Sequence, residues 1–310
     1  MGGRIAVAVV SYRTPSLTAA AVRSALASAA DVVIVVDNAS GDETMVRLRG
    51  ISDPRLVIVE NASNEGYGAA ANTAARSVST EAVLFLNSDA ELSNDAMKRL
   101  LAELDRWDGR AIVGARLVGP HGEIQRSAGL LPAPSDLLIR WLGLSAIGRW
   151  FAELPLIGGL VRGSRIADEY ESARTAVEAA DTSMVSGACF VVGRTAFQEL
   201  GGFDERFFLY FEDADICRRA AAAGYATRYV PDAVVSHIGG ASSSQDYHFG
   251  PMHARSMRQY LGKWYGPGGS AVALVLVWLR TIGFTLTLRP GTRRAWAALR
   301  ATLRDEDPRR

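Results

Sequence analysis

A chain of 310 residues is long enough to bury a substantial core, as one large domain or as a domain with an appendage. Hydrophobic residues make up 48% and charged residues 22%, which argues against a disordered chain, and a net charge of +1 excludes the overall basic bias of a nucleic-acid binder. The two cysteines, Cys189 and Cys217, have neither CxxC nor zinc-ligand spacing and suit a reducing compartment.

At the front, Arg4 precedes a short apolar run over 5–10 that meets polar Ser11-Tyr12-Arg13 without a cleavage-type site. No signal peptide is expected there, and the chain is expected to begin in the cytoplasm. The run itself is too short for a helix and reads as a buried β-strand. Thr14-Pro15-Ser16 then starts a helix whose body covers 17–29. A second buried strand over 32–36 ends in the polar turn Asp37-Asn38-Ala39-Ser40-Gly41-Asp42. A third strand covers 56–60, and 68–77 is an Ala-rich helix. A fourth strand over 83–86 runs into Asn87-Ser88-Asp89, and 94–106 is an amphipathic helix. Strands alternating with helices at this spacing predict an α/β protein with a parallel sheet. Ligands of such sheets lie beyond the carboxyl ends of the strands, where Asp37, Asn64 and Asp89 all fall. One Asp in such a place is usually a turn former or helix cap; three polar clusters at successive strand ends point to a site.

The segment 132–161 mixes Leu and Ile with Trp141, Trp150, Phe151, Arg140 and Arg149. It reads as an interfacial helix or lid, or as an ordinary helical insertion packed on the core. Further on, 271–288 is apolar except for Arg280 and a few Thr and Gly residues. It approaches the length of a membrane span, but a central arginine is costly there, so a helix lying in the interface suits it better than a span. Arg289, Arg293, Arg294, Arg300 and Arg304 follow, with Trp296, Leu299 and Leu303 on a helical spacing. From Arg280 to the end, eight arginines stand against three acids, a composition that favours anionic lipid headgroups.

Asp89 follows an apolar strand, so its carboxylate is expected at the rim of the sheet as a candidate metal ligand. The richest stretch is 186–225. A small-residue turn, Ser186-Gly187-Ala188, enters a strand, and Gly201-Gly202-Phe203-Asp204-Glu205 makes a loop. Phe207-Phe208-Leu209-Tyr210-Phe211 then runs straight into Glu212-Asp213-Ala214-Asp215. Apolar surroundings raise a carboxylate's proton affinity toward that of a useful general base. The helix completed over 216–224 carries those acids in its first turn, a favourable dipole position. Glu212 and Asp215 are read equally as caps and as site residues, and Asp213 is the expected catalytic residue. His237 follows a strand over 229–235 and precedes Ile238-Gly239-Gly240. A neutral imidazole there can complete a metal site, although a structural histidine is the plainer reading. His121, His248 and His253 offer no comparable context.

Val10-Ser11-Tyr12, Val36-Asp37-Asn38-Ala39-Ser40, Asn64-Glu65-Gly66-Tyr67-Gly68 with Asn72, Leu86-Asn87-Ser88-Asp89 and Phe211-Glu212-Asp213-Ala214-Asp215 together resemble family 2 glycosyltransferases. The resemblance is to the bacterial rhamnosyltransferase branch, including actinobacterial enzymes that add L-rhamnose to polyprenyl-diphosphate-linked N-acetylglucosamine. It runs in order over 5–244 and is specific as a set. It implies a GT-A fold, a Rossmann-like mixed sheet flanked by helices, with Mg2+ or Mn2+ dependence and inversion at the anomeric carbon. In that reading Asp37 contacts the nucleobase, and Ser11, Asn64, Gly66, Asn72 and Asn87 line the nucleotide-sugar side. Asp89 is the metal-binding end of the DxD motif, His237 approaches the metal or pyrophosphate, and Asp213 is the base. Glu212 and Asp215 support or face the acceptor. The motif here begins with Asn87, so one of its two carboxylates is missing and metal affinity is expected to depend on the nucleotide's own phosphates.

The expected organisation is a catalytic domain over 1–245, with the lid or insertion at 132–170, and a basic, membrane-associating helical region over 246–310. The expected function is metal-dependent transfer of L-rhamnose from dTDP-L-rhamnose to a lipid-linked sugar in cell-wall or surface polysaccharide synthesis. The expected place is the cytoplasmic face of the plasma membrane, as a peripheral protein with no nucleic-acid partner. The alternatives are another nucleotide-sugar donor, or a catalytically silent membrane-bound scaffold, against which the retained Asp89 and Glu212-Asp213 count. Nucleotidyl transfer usually brings a Gly-rich, basic phosphate loop near the N-terminus, whereas 9–16 holds only Arg13 and no glycine.

Overall fold

A computed structural model describes residues 3–135, 137, 178–239, 250–286 and 292–304. The lid or insertion expected over 132–170 lies outside these residues except at its first few positions, as do Gly240, His248, Arg289 and the residues after 304.

The apolar run at the front is β1 (Ile5–Ser11), buried along its whole length. It is followed by α1 (Pro15–Ala27), with Pro15 in its first turn where no intrahelical N–H is needed. Next come β2 (Val32–Asp37), the short α2 (Thr44–Arg49), β3 (Leu56–Glu60), α3 (Tyr67–Arg76) and β4 (Ala82–Asn87). The chain turns at Ser88-Asp89 into β5 (Ala90–Leu92), then continues through α4 (Ala96–Asp105) and β6 (Ala111–Val118). Short strands β7 (Ala128–Gly129), β8 (Ala180–Asp181) and β9 (Met184–Val185) precede β10 (Cys189–Gly193). The last elements are α5 (Arg194–Glu199), α6 (Glu212–Ala222), β11 (Ala226–His237), α7 (Pro251–Leu286) and α8 (Thr292–Arg304).

Among the described residues nine strands form one sheet, in the order β3-β2-β1-β4-β10-β6-β11-β5, with β8 on β11. The first four strands are parallel, as the alternation of strands and helices requires. Beyond β4 the sheet is mixed, as the family resemblance implies. β10 runs antiparallel to both β4 and β6, and β5 runs antiparallel to β11. The apolar segment Cys189–Gly193 is buried at every residue. A strand covered on both faces carries no period that would tell its direction.

Alternate residues feed two layers. Val7, Val9, Val33, Val35, Leu84 and Leu86 pack against α1 and α4 through Val22, Ala25, Met97 and Leu100. Ala6, Ala8, Ile34, Val36, Val83 and Phe85 pack on the other face against the alanines of α3 and against Phe197, Ile216 and Cys217. Phe85 sits among the rings of Phe190, Phe197 and Phe203 at 5.0 to 5.2 Å; truncating a buried aromatic of this kind costs about 3–5 kcal/mol.

The C-terminal helices build a third cluster, in which Met257, Tyr260, Leu261, Leu276 and Leu299 close over Phe207, Phe211 and Ala214. By length and composition α7 is apolar enough to cross a membrane. It is broken at Gly266 (φ 66°), just before Pro267. The chain folds back there so tightly that a Cβ on Gly269 would overlap the Leu261 carbonyl.

Candidate active site

Parallel strands bring their carboxyl ends to one edge. The registers Ser11 with Asp37 and Val10 with Asn87 put three of the expected residues there. The antiparallel β10 starts at the same edge, with Asn87 N–H donating to the Ala188 carbonyl at 2.9 Å. β5, too short to read from sequence, pairs Ala90 with His237. That pairing carries His237 to Asp89 across nearly half the chain.

Asp89 and His237 are both buried, with Asp89 Oδ1 3.4 Å from His237 Nε2. Gly239 N–H donates to Asp89 Oδ2 at 3.1 Å, and Ile238 N–H to the Asp89 carbonyl at 3.0 Å. His237 is held from behind by Gln125, whose Nε2 donates to the His237 carbonyl at 2.7 Å while its Oε1 stands 2.7 Å from Nδ1.

At the β2 end, Asp37 is buried and accepts from the hydroxyl and the amide of Ser40, shaping its own turn. Asn38 organises the next loop. Its Nδ2 donates to Asn64 Oδ1 at 2.8 Å and to the Gly66 carbonyl at 3.2 Å, and its Oδ1 accepts from Asn61 and from the Glu65 amide. Asn64 Oδ1 also accepts from Gly66 N–H at 3.0 Å. Gly66 has φ 88°, a conformation open almost only to glycine, and it lies against the backbone of Phe208, whose carbonyl takes the Tyr67 amide at 2.8 Å. The 61–66 loop is thereby joined to the loop that leads into α6.

That second loop ends in Tyr210 (φ 72°) and Phe211 (φ 68°), two consecutive non-glycine residues in the left-handed region. Such residues cost of order 1–3 kcal/mol each and cluster at functional sites. They aim the first turn of α6 inward. Asp213 Oδ2 accepts the Gly187 amide at 3.0 Å and Oδ1 the Ala214 amide at 2.8 Å. Glu212 is buried, and its Oε2 has no hydrogen-bond partner among the described residues. Burial raises the Glu212 carboxyl to about 8, with the charge of Asp213 adding to the effect. Burial also raises Asp213, opposed by the Gly187 and Ala214 amides and by the charge of Arg126. Tyr67 donates its hydroxyl to the Gly187 carbonyl at 3.3 Å. Its phenol is pushed far up by burial and by the charges of Glu212, Asp213 and Asp89, so it remains a neutral donor at the centre of the acids.

Three further expected site residues have partners elsewhere in the fold. Asn72 spends both donors and its acceptor on the 203–205 loop, donating to the Phe203 carbonyl (2.9 Å) and to Glu205 (3.0 Å) and accepting the Phe203 amide (2.8 Å). It shapes that loop from α3. Asp215 is fully buried against the C-terminal helices, with Lys263 Nζ at 2.6 Å, Trp264 Nε1 donating at 2.9 Å and Arg219 Nε donating at 2.8 Å. It clamps α7 to α6 and supports the site from outside. Ser11 turns its hydroxyl to Thr18 at 2.8 Å, under α1.

A family model described as glycosyltransferase like family 2 matches residues 3–261. In sequence the chain is similar to the N-acetylglucosaminyl-diphospho-decaprenol L-rhamnosyltransferase of Mycobacterium tuberculosis, with 28% identity over 225 residues, 69% of this chain and 68% of that protein. In structure it is similar to a mannosyltransferase of Pyrobaculum calidifontis solved with GDP-Man and Mn2+ (TM-score 0.57, 19% identity, 98% of this chain and 88% of that one). It also resembles GalNAc-T7 solved with UDP, GalNAc and Mn2+ (TM-score 0.60, 14% identity), where the match takes in 85% of this chain but only 48% of that one. Both structural likenesses bear on the fold, a mixed sheet with the same GT-A layering.

Proposed function

We propose that this chain, which belongs to glycosyltransferase family 2, moves a sugar from a nucleoside diphosphate to an acceptor hydroxyl in one inverting displacement, with Asp213 as general base. The observation that carries the reading is the unequal treatment of two adjacent buried acids. Asp213 receives two backbone amides, which favour its anion, whereas Glu212 Oε2 receives none. Glu212 therefore holds the proton and Asp213 is the ionised member of the pair. Burial keeps the affinity of that anion for a proton above that of an ordinary carboxylate, which suits a base working near neutrality. Asp213 takes the proton of the acceptor hydroxyl as its oxygen attacks the anomeric carbon, on the face opposite the departing diphosphate. One displacement inverts the configuration and leaves no covalent intermediate on the enzyme.

Asp89 and His237 fit a divalent cation, Mg2+ or Mn2+. A carboxylate and an imidazole, both buried, converge within 3.4 Å at the edge where the strands end. No third His, Cys, Asp or Glu joins them among the described residues, so the phosphates of the donor would complete the shell. When bound, the cation neutralises charge on the leaving diphosphate. The Asp37 turn and the loop held by Asn38, Asn64 and Gly66 serve the nucleoside.

The likeness to the mycobacterial L-rhamnosyltransferase supports L-rhamnose from dTDP-L-rhamnose as the donor group and a polyprenyl-diphosphate-linked sugar as the acceptor, in cell-wall or surface polysaccharide synthesis. Exposed Trp278, Leu279, Leu286, Trp296 and Leu303 on α7 and α8 support peripheral attachment at the cytoplasmic face of the membrane. The catalytic unit is then 1–245 and the membrane-facing unit 246–310.

The test is transfer itself. Purified protein with Mg2+ or Mn2+ and a polyprenyl-diphosphate-N-acetylglucosamine analogue is given a panel of nucleotide sugars, and product mass is read. A deoxyhexose increment with dTDP-L-rhamnose alone, lost in Asp213→Asn, is the expected result. Another donor would overturn the rhamnose assignment, and full transfer by a folded Asp213→Asn would remove Asp213 as base. Silence across donors and acceptors would leave the scaffold reading.

A further inference from the structure

Gln125 lies in the loop between β6 and β7, half-buried, with its backbone N–H donating to the Leu117 carbonyl at 2.9 Å. Its side chain gives both ends of its amide to one residue, 112 positions away. Nε2 donates to the His237 carbonyl at 2.7 Å, and Oε1 stands 2.7 Å from His237 Nδ1. The first bond decides the second. An NH2 group must face the carbonyl, so the atom at the ring is the amide oxygen, which only accepts. Nδ1 therefore carries a proton, and in the neutral imidazole the lone pair is on Nε2.

Nε2 faces Asp89 Oδ1 at 3.4 Å, while Asp89 Oδ2 is occupied by the Gly239 amide. Facing each other in a buried place, the Nε2 lone pair and the carboxylate oxygen need positive charge between them, a proton on Nε2 or a metal cation. The register pair Ala90–His237 and the Ile238 N–H on the Asp89 carbonyl fix the two backbones, so neither group relaxes by moving its main chain. We infer that Gln125 is a positioning residue that locks the tautomer of His237, so that Nε2 and Asp89 Oδ1 are offered together to the cation accompanying a nucleoside diphosphate. This rests on the metal-dependent reading above. A neutral amide orients the ring without adding negative charge to a site that already lacks the first carboxylate of its DxD motif. The site thereby takes its cation chiefly together with the donor's phosphates.

The experiment titrates Mn2+ into the full chain in the presence of dTDP, with affinity read by electron paramagnetic resonance and imidazole ligation by the 14N coupling in the pulsed spectrum. Gln125→Met keeps the length and removes both polar atoms; Gln125→Glu keeps an acceptor on Nδ1. The wild type is expected to show the 14N coupling, and His237→Ala to lack it. Gln125→Met should lose Mn2+ affinity by about 10–100-fold, the usual cost of an outer-shell partner, together with the coupling. Gln125→Glu, which still faces Nδ1 with an acceptor although it loses the donor to the His237 carbonyl, should retain the coupling, whereas a merely structural glutamine would fail in either variant alike. A Gln125→Met protein with wild-type affinity and coupling would overturn the role of Gln125 and leave the metal reading standing. A wild type that binds no Mn2+, or binds it without 14N coupling, would overturn His237 as ligand and Gln125 with it.

Discussion

The Asp213 carboxylate accepts the Gly187 amide at 3.0 Å, so the loop entering β10 fixes the charge at the head of α6. Glu212, one residue earlier, has no such donor on Oε2. The two acids should therefore respond differently to loss of charge. Asp213→Asn is expected to lower kcat by about 10²–10⁴-fold, the range of a general base, with little change in unfolding. Glu212→Gln replaces a neutral group with a neutral one and should keep most of the turnover. Single-turnover rates for the two variants at neutral pH check this, and equal losses would remove the division of labour.

The same pair predicts how stability varies with pH. The Glu212 carboxyl rises from its ordinary 4.5 to about 8 on folding. Between those values the native state keeps a proton that the unfolded chain has released. Its contribution is full below about 4.5 and is lost as pH rises toward 8. Melting temperature followed from pH 5 to 9 should fall with a component that Glu212→Gln flattens. An unchanged slope in that variant would place the titration elsewhere.

Gly66 joins two loops, and its substitution should be worse than that of a glycine needing positive φ alone. Gly122 has φ 81° with open space where a Cβ would sit, and Gly122→Ala should cost about 1 kcal/mol. Gly66 has φ 88° with the Phe208 Cα 2.9 Å from the added carbon. Gly66→Ala should cost more than the 1–3 kcal/mol typical of backbone strain alone, because Phe208 is main chain and cannot swing aside. Urea unfolding of the two variants compares them directly, and equal costs would show that the contact with Phe208 gives way easily.

Strands β1 to β4 were legible because each is an unbroken apolar run, and their bounds fall within a residue or so of the reading. β6 was not, since Gly114 and Arg116 interrupt it. Gly114 is there because the Val185 side chain packs 2.5 Å from where a Cβ would lie. β5 has three residues and no period of its own, yet it is the strand that carries Asp89 to His237. In the site, residue type alone did not tell which partner each side chain would take. Asn72 and Asp215 read as site or supporting residues, and the partners that hold them, Phe203 with Glu205 and Lys263 with Trp264, lie far along the chain. Gln125 gave no signal at all, because its meaning lies in His237, 112 residues on.

The outward face of the C-terminal helices carries the last prediction. On α8, Arg293, Trp296, Arg300 and Leu303 are exposed at spacings of three and four, one stripe of a helix. Ala295, Ala298, Leu299 and Thr302 are buried on the other side. On α7, Val275, Trp278, Leu279 and Leu286 are exposed in the same rhythm. Trp296 Nε1 donates to Thr285 Oγ1 at 3.1 Å and Thr281 Oγ1 to the Ala295 carbonyl at 3.1 Å, so the two stripes belong to one packed pair. Tryptophan flanked by arginine suits the headgroup level of an anionic bilayer. The chain should therefore sediment with phosphatidylglycerol-containing vesicles, and poorly with phosphatidylcholine alone. Arg293→Gln and Arg300→Gln should each weaken binding roughly fivefold, at about 1 kcal/mol per basic residue near such a surface, and should lessen its salt dependence. Trp278→Ser with Trp296→Ser should weaken it in high salt as well, because the apolar part is not screened. Equal binding to neutral vesicles would take the arginines out of the account. Absence of vesicle binding, with a dimer that grows with protein concentration, would assign the face to a second copy of this chain.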